Sequence, residues 1–302
     1  MDVEENLFNA SDKYIALPDI KTLVPYAEAG GGYFFSVGNS IYNWSNNSHN
    51  HAVALKNNTE TIISFLHLSP HKLIVSSKSS VSLYLRMPGN EIFTLTKRLV
   101  CNQKEKDRLA LNNCEHTTSA DLGPIVVDYS ETAIYYAYGS TAHKVYNISA
   151  LNQTKPIPLD KSLGNVTAMG LNEDYSYLFT IQKRDSTQTI STFDSASLQP
   201  VRPTQLVEYP DEILQAVPLG NGVLLCHNTN DDLILLNTFT GQYSHVSKGT
   251  THLPCDSSEC GQNPIFVRDL TRDNNLQGRG VNLYGVDTTG GPIALKYNSK
   301  YS

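Results

Sequence analysis

No apolar run in this 302-residue chain approaches the roughly 20 residues that a membrane-crossing helix requires, so no helical span is expected. An excess of basic charge is missing too. With 23 Lys and Arg against 29 Asp and Glu, the net charge of −6 argues against a binder that works by neutralising nucleic-acid phosphates. The opening MDVEENLFNAS lacks a basic region and an apolar core, so it is not expected to act as a signal peptide. Neither a Gly-x-Ser-x-Gly elbow nor a His-Glu-x-x-His helix occurs, which removes two familiar routes to hydrolysis. The triplet Gly30-Gly31-Gly32 is followed by no Lys-Ser/Thr pair and reads as a turn, not a phosphate loop.

What the chain does have is repetition. Residues 212–246, EILQAVPLGNGVLLCHNTNDDLILLNTFTGQYSHV, read as four short strands joined by three turns, with Asn221-Gly222 a strong signal for a tight hairpin. Such a meander cannot bury both of its faces alone and has to stack on copies of itself. Divergent copies occupy residues 26–55, 61–97, 123–159, 166–202 and 265–297. Their second strands begin near Tyr33, Lys72, Ala133, Tyr177, Gly222 and Gly280, and the short intervals fit blades of about 40–45 residues. The expected fold is therefore all-β: a β-propeller of four-stranded antiparallel blades. Six blades are expected, or seven if residues near 98–122 conceal another. Residues 1–12 are expected to be a disordered, polar N-terminus. A single propeller domain is expected over 13–302, with the short strand Lys13–Leu17 completing the last blade.

Three stretches resemble known propeller families. Residues 30–55, GGGYFFSVGNSIYNWSNNSHNHAVAL, resemble one repeat of the RCC1 family, whose units place Gly-Gly before a strand and Tyr-x-Trp before a polar turn. ILLNTFTGQ at 234–242 and TISTFDSASL at 189–198 are similar to the third strand and turn of WD40 units, although that family's Gly-His and Trp-Asp signatures are absent. The WD40 resemblance implies a non-enzymatic scaffold that presents loops to protein partners as one subunit of a complex.

Five cysteines occur. Cys226, in the apolar GVLLC, reads as a reduced core thiol. The others lie in the two long intervals between repeats: Cys101 with Cys114, and Cys255 with Cys260. Each pair is a possible disulfide that closes its own loop. Free thiols are the competing reading, and for Cys255 and Cys260 a partial zinc site with His252 is a third. The interval from Cys101 to Cys114 resembles the early disulfide-closed excursion of semaphorin and plexin propellers, while Lys104–Leu111 can form a turn or two of helix. Seven Asn-x-Ser/Thr sequons, at Asn9, Asn43, Asn46, Asn57, Asn147, Asn152 and Asn165, are no more than this composition produces by chance.

Acidic residues recur near turns at Asp128, Asp174, Asp194, Asp231, Asp232 and Asp287. Backbone-bonding turn aspartates account for them more simply than calcium ligands do. His49 and His51 are placed in an Asn/Ser turn. Of seventeen tyrosines, many fall in strands, where most are expected to pack between blades and some to face a partner. The sequence thus points to a protein-interaction scaffold with no catalytic, cofactor or metal residue assigned. The partner is a protein of unstated identity, and an intracellular location is expected. The alternatives are an extracellular recognition domain cut from a longer precursor, with its loop cysteines oxidised, and a metal-dependent propeller hydrolase.

Overall fold

The structure is a computed structural model. It describes residues 8–10, 20–25, 32–45, 48–56, 60–62, 64–69, 71–109, 114–128, 133–146, 153–172, 174–220, 222–230, 232–247, 269–272, 281–286 and 292–297. Strand β1 (Phe8–Ala10) pairs at a distance in sequence, as set out below. The first consecutive sheet is β2 (Ile20–Pro25), β3 (Gly32–Val37), β4 (Ser40–Ser45) and β5 (Ser48–Lys56). The second is β6 (Ser64–Ser69), β7 (Lys72–Ser76), β8 (Ser80–Leu85) and β9 (Thr94–Asn102); helix α1 (Gln103–Leu109) and β10 (Cys114–Thr118) follow it. The third contains β11 (Ile125–Asp128), β12 (Ala133–Tyr138), β13 (Thr141–Tyr146) and β14 (Gln153–Pro156).

The fourth contains β15 (Asn165–Leu171), β16 (Tyr177–Arg184), β17 (Thr187–Asp194) and β18 (Gln205–Val207). The fifth is β19 (Ile213–Gly220), β20 (Val223–Asn228), β21 (Leu233–Asn237) and β22 (Tyr243–Ser247). The last is β23 (Asp269–Arg272), β24 (Val281–Val286) and β25 (Pro292–Tyr297), with β1 on the outer side of β25. Sheets of this kind, four antiparallel strands in chain order, are propeller blades, and the fold is of the β-propeller class.

The count of blades needs correction. Among the described residues five sheets are four-stranded, not six or seven, and the sheet from β6 to β10 departs from the pattern. Its fifth strand, β10, pairs with β9 in parallel, Cys114 opposite Arg98 and Thr118 opposite Asn102. The described residues of 98–122 therefore form no further blade; β9 and β10 extend the second sheet. A parallel return needs a crossover, and α1 supplies it. Asn102 starts that helix, its side-chain oxygen accepting the Glu105 amide at 2.9 Å.

The N-terminal expectation is corrected at three residues. Phe8–Ala10 form a strand antiparallel to Tyr297–Leu295, so part of the polar start completes the last sheet. Lys13–Leu17, to which that role was assigned, lie outside the described residues.

The chain divides into two compact units, Val24–Val166 and Met1–Leu23 with Thr167–Ser302. In the first unit, one core gathers Phe34, Ile41, Leu55, Phe65 and Leu73, and another gathers Ile74, Val81, Leu99, Ile134 and Tyr136. In the second, Phe179, Ile181, Ile190, Tyr209, Leu224 and Ile234 share one core. The second strand of a blade is buried on both faces, which is why AIYYAY and VLLCHN read as continuous apolar runs without alternation. Burial sorts the strand tyrosines as well. Tyr84, Tyr135 and Tyr136 are buried between sheets, while Tyr177 is 41% exposed.

One buried polar side chain sets the spacing of the fourth and fifth sheets. Gln188, on β17, is fully buried; its Nε2 donates to the carbonyls of Tyr209 (2.9 Å) and Asp211 (2.6 Å). Its Oε1 accepts the Ile213 amide at 2.9 Å, so all three bonds go to the segment that enters the next blade.

Candidate binding site between two blades

The connections of the fourth and fifth sheets meet at one end: the β15–β16 turn, the β17–β18 loop at 195–204, the β19–β20 turn and the β21–β22 turn at 238–242. Between them lies a cavity of about 410 Å³. Phe179 and Leu224, both buried, form part of its wall. Tyr177, Val201 and Phe239 also line it and stay 41%, 39% and 42% exposed.

Two glycines make room for its aromatic rings. A β-carbon on Gly170 of β15 would lie 2.3 Å from Cζ of Phe179, and one on Gly222 would lie 2.3 Å from Cζ of Phe239. Gly222 also has φ of +71°, which opens the hairpin into β20. The Arg202 guanidinium carbon stands 3.6 Å from the centroid of the Phe239 ring, a separation that only a position over the ring face allows. Leu206, 56% exposed, lies beside this turn, its carbonyl against Gly241.

The polar groups of the wall are largely satisfied from within. Asn172 donates to Asp174 at 2.6 Å and to Ser176 at 3.2 Å, and its oxygen accepts the Tyr177 amide at 2.7 Å. Bonds from the Ser176 hydroxyl and amide hold the Asp174 carboxyl below the ordinary carboxylate range. Thr238 donates its hydroxyl to the Gly222 carbonyl at 2.9 Å. Arg202 is the only charged residue of the lining, and it forms no ion pair among the described residues.

Cys101 and Cys114 form a disulfide with Cα atoms 6.0 Å apart, clamping the loop that carries α1. Cys226 is a free thiol in β20, fully buried, and burial pushes its pKa up. Cys255 and Cys260 lie outside the described residues, as do Asp231 and Asp287. Asp194 caps its own turn by accepting from the Ser197 amide and hydroxyl, both at 2.7 Å. Asp232 accepts the Tyr209 hydroxyl at 2.8 Å within a buried network that includes Asn228. Asp128 is buried in β11. His49 and His51 lie within strand β5, which corrects their placement in a turn. Among the described residues no three His, Cys, Asp or Glu side chains stand together as a metal site would need.

The sequence marked some of these residues without joining them into a site: Gly222 as half of a hairpin turn, Tyr177 as the start of a second strand, and Thr238 and Phe239 within the WD40-like stretch 234–242. Arg202 and Val201 were not singled out, because they come from the turn end of a different blade.

No protein family matches the chain, and no curated protein resembles it in sequence. Solved structures do resemble it. A luciferin-regenerating enzyme aligns over 97% of this chain and 96% of its own, at TM-score 0.58 and 10% identity. A chain of the nidogen/laminin complex aligns over 74% of this chain and 78% of its own, at TM-score 0.53 and 10% identity. The extracellular domain of a proposed B. thetaiotaomicron one-component system covers 97% of this chain and 40% of its own, at TM-score 0.53 and 14% identity. At these identities the likeness establishes the fold and no more. Among the described residues no helix is long and apolar enough to cross a membrane.

Proposed function

We propose that this chain is a non-enzymatic recognition domain that holds a protein partner at the pocket between its fourth and fifth sheets. The observation that carries the reading is the mouth of that pocket, where Tyr177, Val201, Arg202 and Phe239 are left open to solvent above an apolar floor. Clustered aromatic and arginine side chains around an apolar recess are what binding hot spots are made of. The WD40-like look of 234–242, which includes Phe239, favours the same scaffold role. One neighbour is an enzyme by name, but the lining here offers no carboxylate, imidazole or thiol for bond chemistry.

The setting we favour is an oxidising compartment, in place of the intracellular one expected above. The Cys101–Cys114 bridge supports it, because reduced compartments seldom keep such bonds. Two structural neighbours come from an extracellular domain and from a nidogen/laminin complex.

The test is affinity capture from secreted fluid with intact protein and with a Val201→Asp/Leu206→Asp variant. Both positions are solvent-facing, so the variant should unfold at the same temperature. A partner retained by the unaltered protein and lost by the variant supports the reading. An unchanged set of retained proteins overturns it.

A further inference from the structure

The charge pattern of this pocket narrows what enters it, and the step rests on the recognition reading above. The lining carries one charge, the guanidinium of Arg202. Its wall amide and hydroxyl are already bonded, Asn172 within its own turn and Thr238 to the Gly222 carbonyl of the neighbouring turn. A guanidinium lying over a phenyl face keeps its N–H groups pointing outward in its own plane, where they match the two oxygens of a carboxylate. Among the described residues the acid of the wall turns is Asp174, and it is occupied by Asn172 and Ser176. The cation at the mouth is therefore free to meet a charge brought from outside.

Shape supplies the second half. The recess of about 410 Å³ is walled by Phe179, Leu224 and Val223 and accepts a bulky apolar group. Apolar surface stays open at the mouth itself, where Tyr177, Val201 and Phe239 are 41%, 39% and 42% exposed. A small free acid would fill the recess and leave that surface wet, whereas a chain running across it would cover both. We propose that the pocket takes an extended segment of a partner protein. One large apolar side chain of that segment enters the recess, and an adjacent Asp or Glu pairs with Arg202.

Panning a random peptide library on the immobilised intact protein tests this directly. The expected result is enrichment of sequences that place a bulky apolar residue next to Asp or Glu. A synthetic peptide of that sequence, followed by fluorescence anisotropy, should bind roughly tenfold more weakly to Arg202→Gln, the loss of one charge-assisted pair. Panning on Arg202→Glu should exchange the acidic residue for Lys or Arg. Enriched peptides without an acid, no enrichment at all, or equal binding to Arg202→Gln would overturn the inference. So would a free aromatic carboxylate that binds as tightly as the peptide. The recognition reading is judged separately, by whether Val201→Asp/Leu206→Asp loses the captured partner, a result that does not depend on which charge the panned peptides carry.

Discussion

Phe239 rests the tip of its ring on Gly222, at a distance that leaves no room for a β-carbon between them. The relationship repeats one blade earlier, where Phe179 rests on Gly170. The first pair builds the mouth of the pocket and the second builds its floor.

These two glycines fail differently when replaced. Gly222→Ala meets both the ring and a φ of +71°, so it should cost on the order of 1–3 kcal/mol even with the ring removed. Gly170→Ala meets the ring without the positive φ, and Phe179 is buried and cannot swing away. Its cost should be partly recovered in Gly170→Ala/Phe179→Leu, which a denaturant double-mutant cycle measures. A cycle with no coupling would mean that the ring does not depend on the glycine.

How much of this was legible beforehand depends on what each feature rests on. The blades were legible because each strand carries its own signal: apolar runs such as AIYYAY, closed by Gly139-Ser140, need no partner to be recognised. The fifth strand of the second sheet was not. Residues 114–118, CEHTT, carry no strand pattern of their own; the cysteine spacing allowed a tether to Cys101 but did not say that the tethered segment would pair with β9 in parallel. The pocket was invisible for a related reason. Arg202 and Phe239 are turn residues of different blades, and only the stacking of those blades sets them 3.6 Å apart.

The disulfide should matter to the sheet it extends. It closes a short loop, with a sequence separation of 13, and such loops contribute about 3 kcal/mol by restricting the unfolded chain. Cys101→Ser/Cys114→Ser should lower stability by roughly that amount in urea melts. Faster hydrogen exchange should appear at β10 and leave β16 and β20 unchanged. Non-reducing peptide mapping should recover the two cysteines cross-linked, and Cys226 should react with thiol reagents only after unfolding.

Alkali should weaken the fold through Tyr209. Burial raises the pKa of its phenol, and the hydroxyl's bond to Asp232 raises it further. Ionisation is therefore harder in the folded chain than in the unfolded one, where it begins near the ordinary value of 10.0. The stability held by the neutral phenol is complete below that value and is lost as pH rises beyond it. Tyr209→Phe should flatten the decline above about pH 10. It should also cost about 1–3 kcal/mol at neutral pH, because Asp232 and Asn228 lose a buried partner. Chemical melts at pH 7 and pH 11 separate the two effects, and equal alkaline slopes would refute the assignment.

Acid should act through His143. Its ring stacks on Tyr136 and Tyr138 with centroids 5.5 and 5.7 Å apart, and its Nδ1 has no hydrogen-bond partner among the described residues. Burial lowers its pKa from 6.5, and His116 and Lys161 lower it further. The groups that act on it are therefore two aromatic rings and two cationic or cationisable side chains, with no carboxylate among the described residues. The unfolded chain takes up the proton first as pH falls. The stability held by the neutral imidazole is complete above the unfolded value of 6.5, and it drains away as pH drops through the lower folded value. His143→Phe keeps a flat ring in the stack and cannot bind a proton. Urea melts from pH 7.5 to pH 5 should show a shallower loss of stability in this variant than in the unaltered protein. A variant whose stability fell just as steeply over that range would mean that another group takes up the proton.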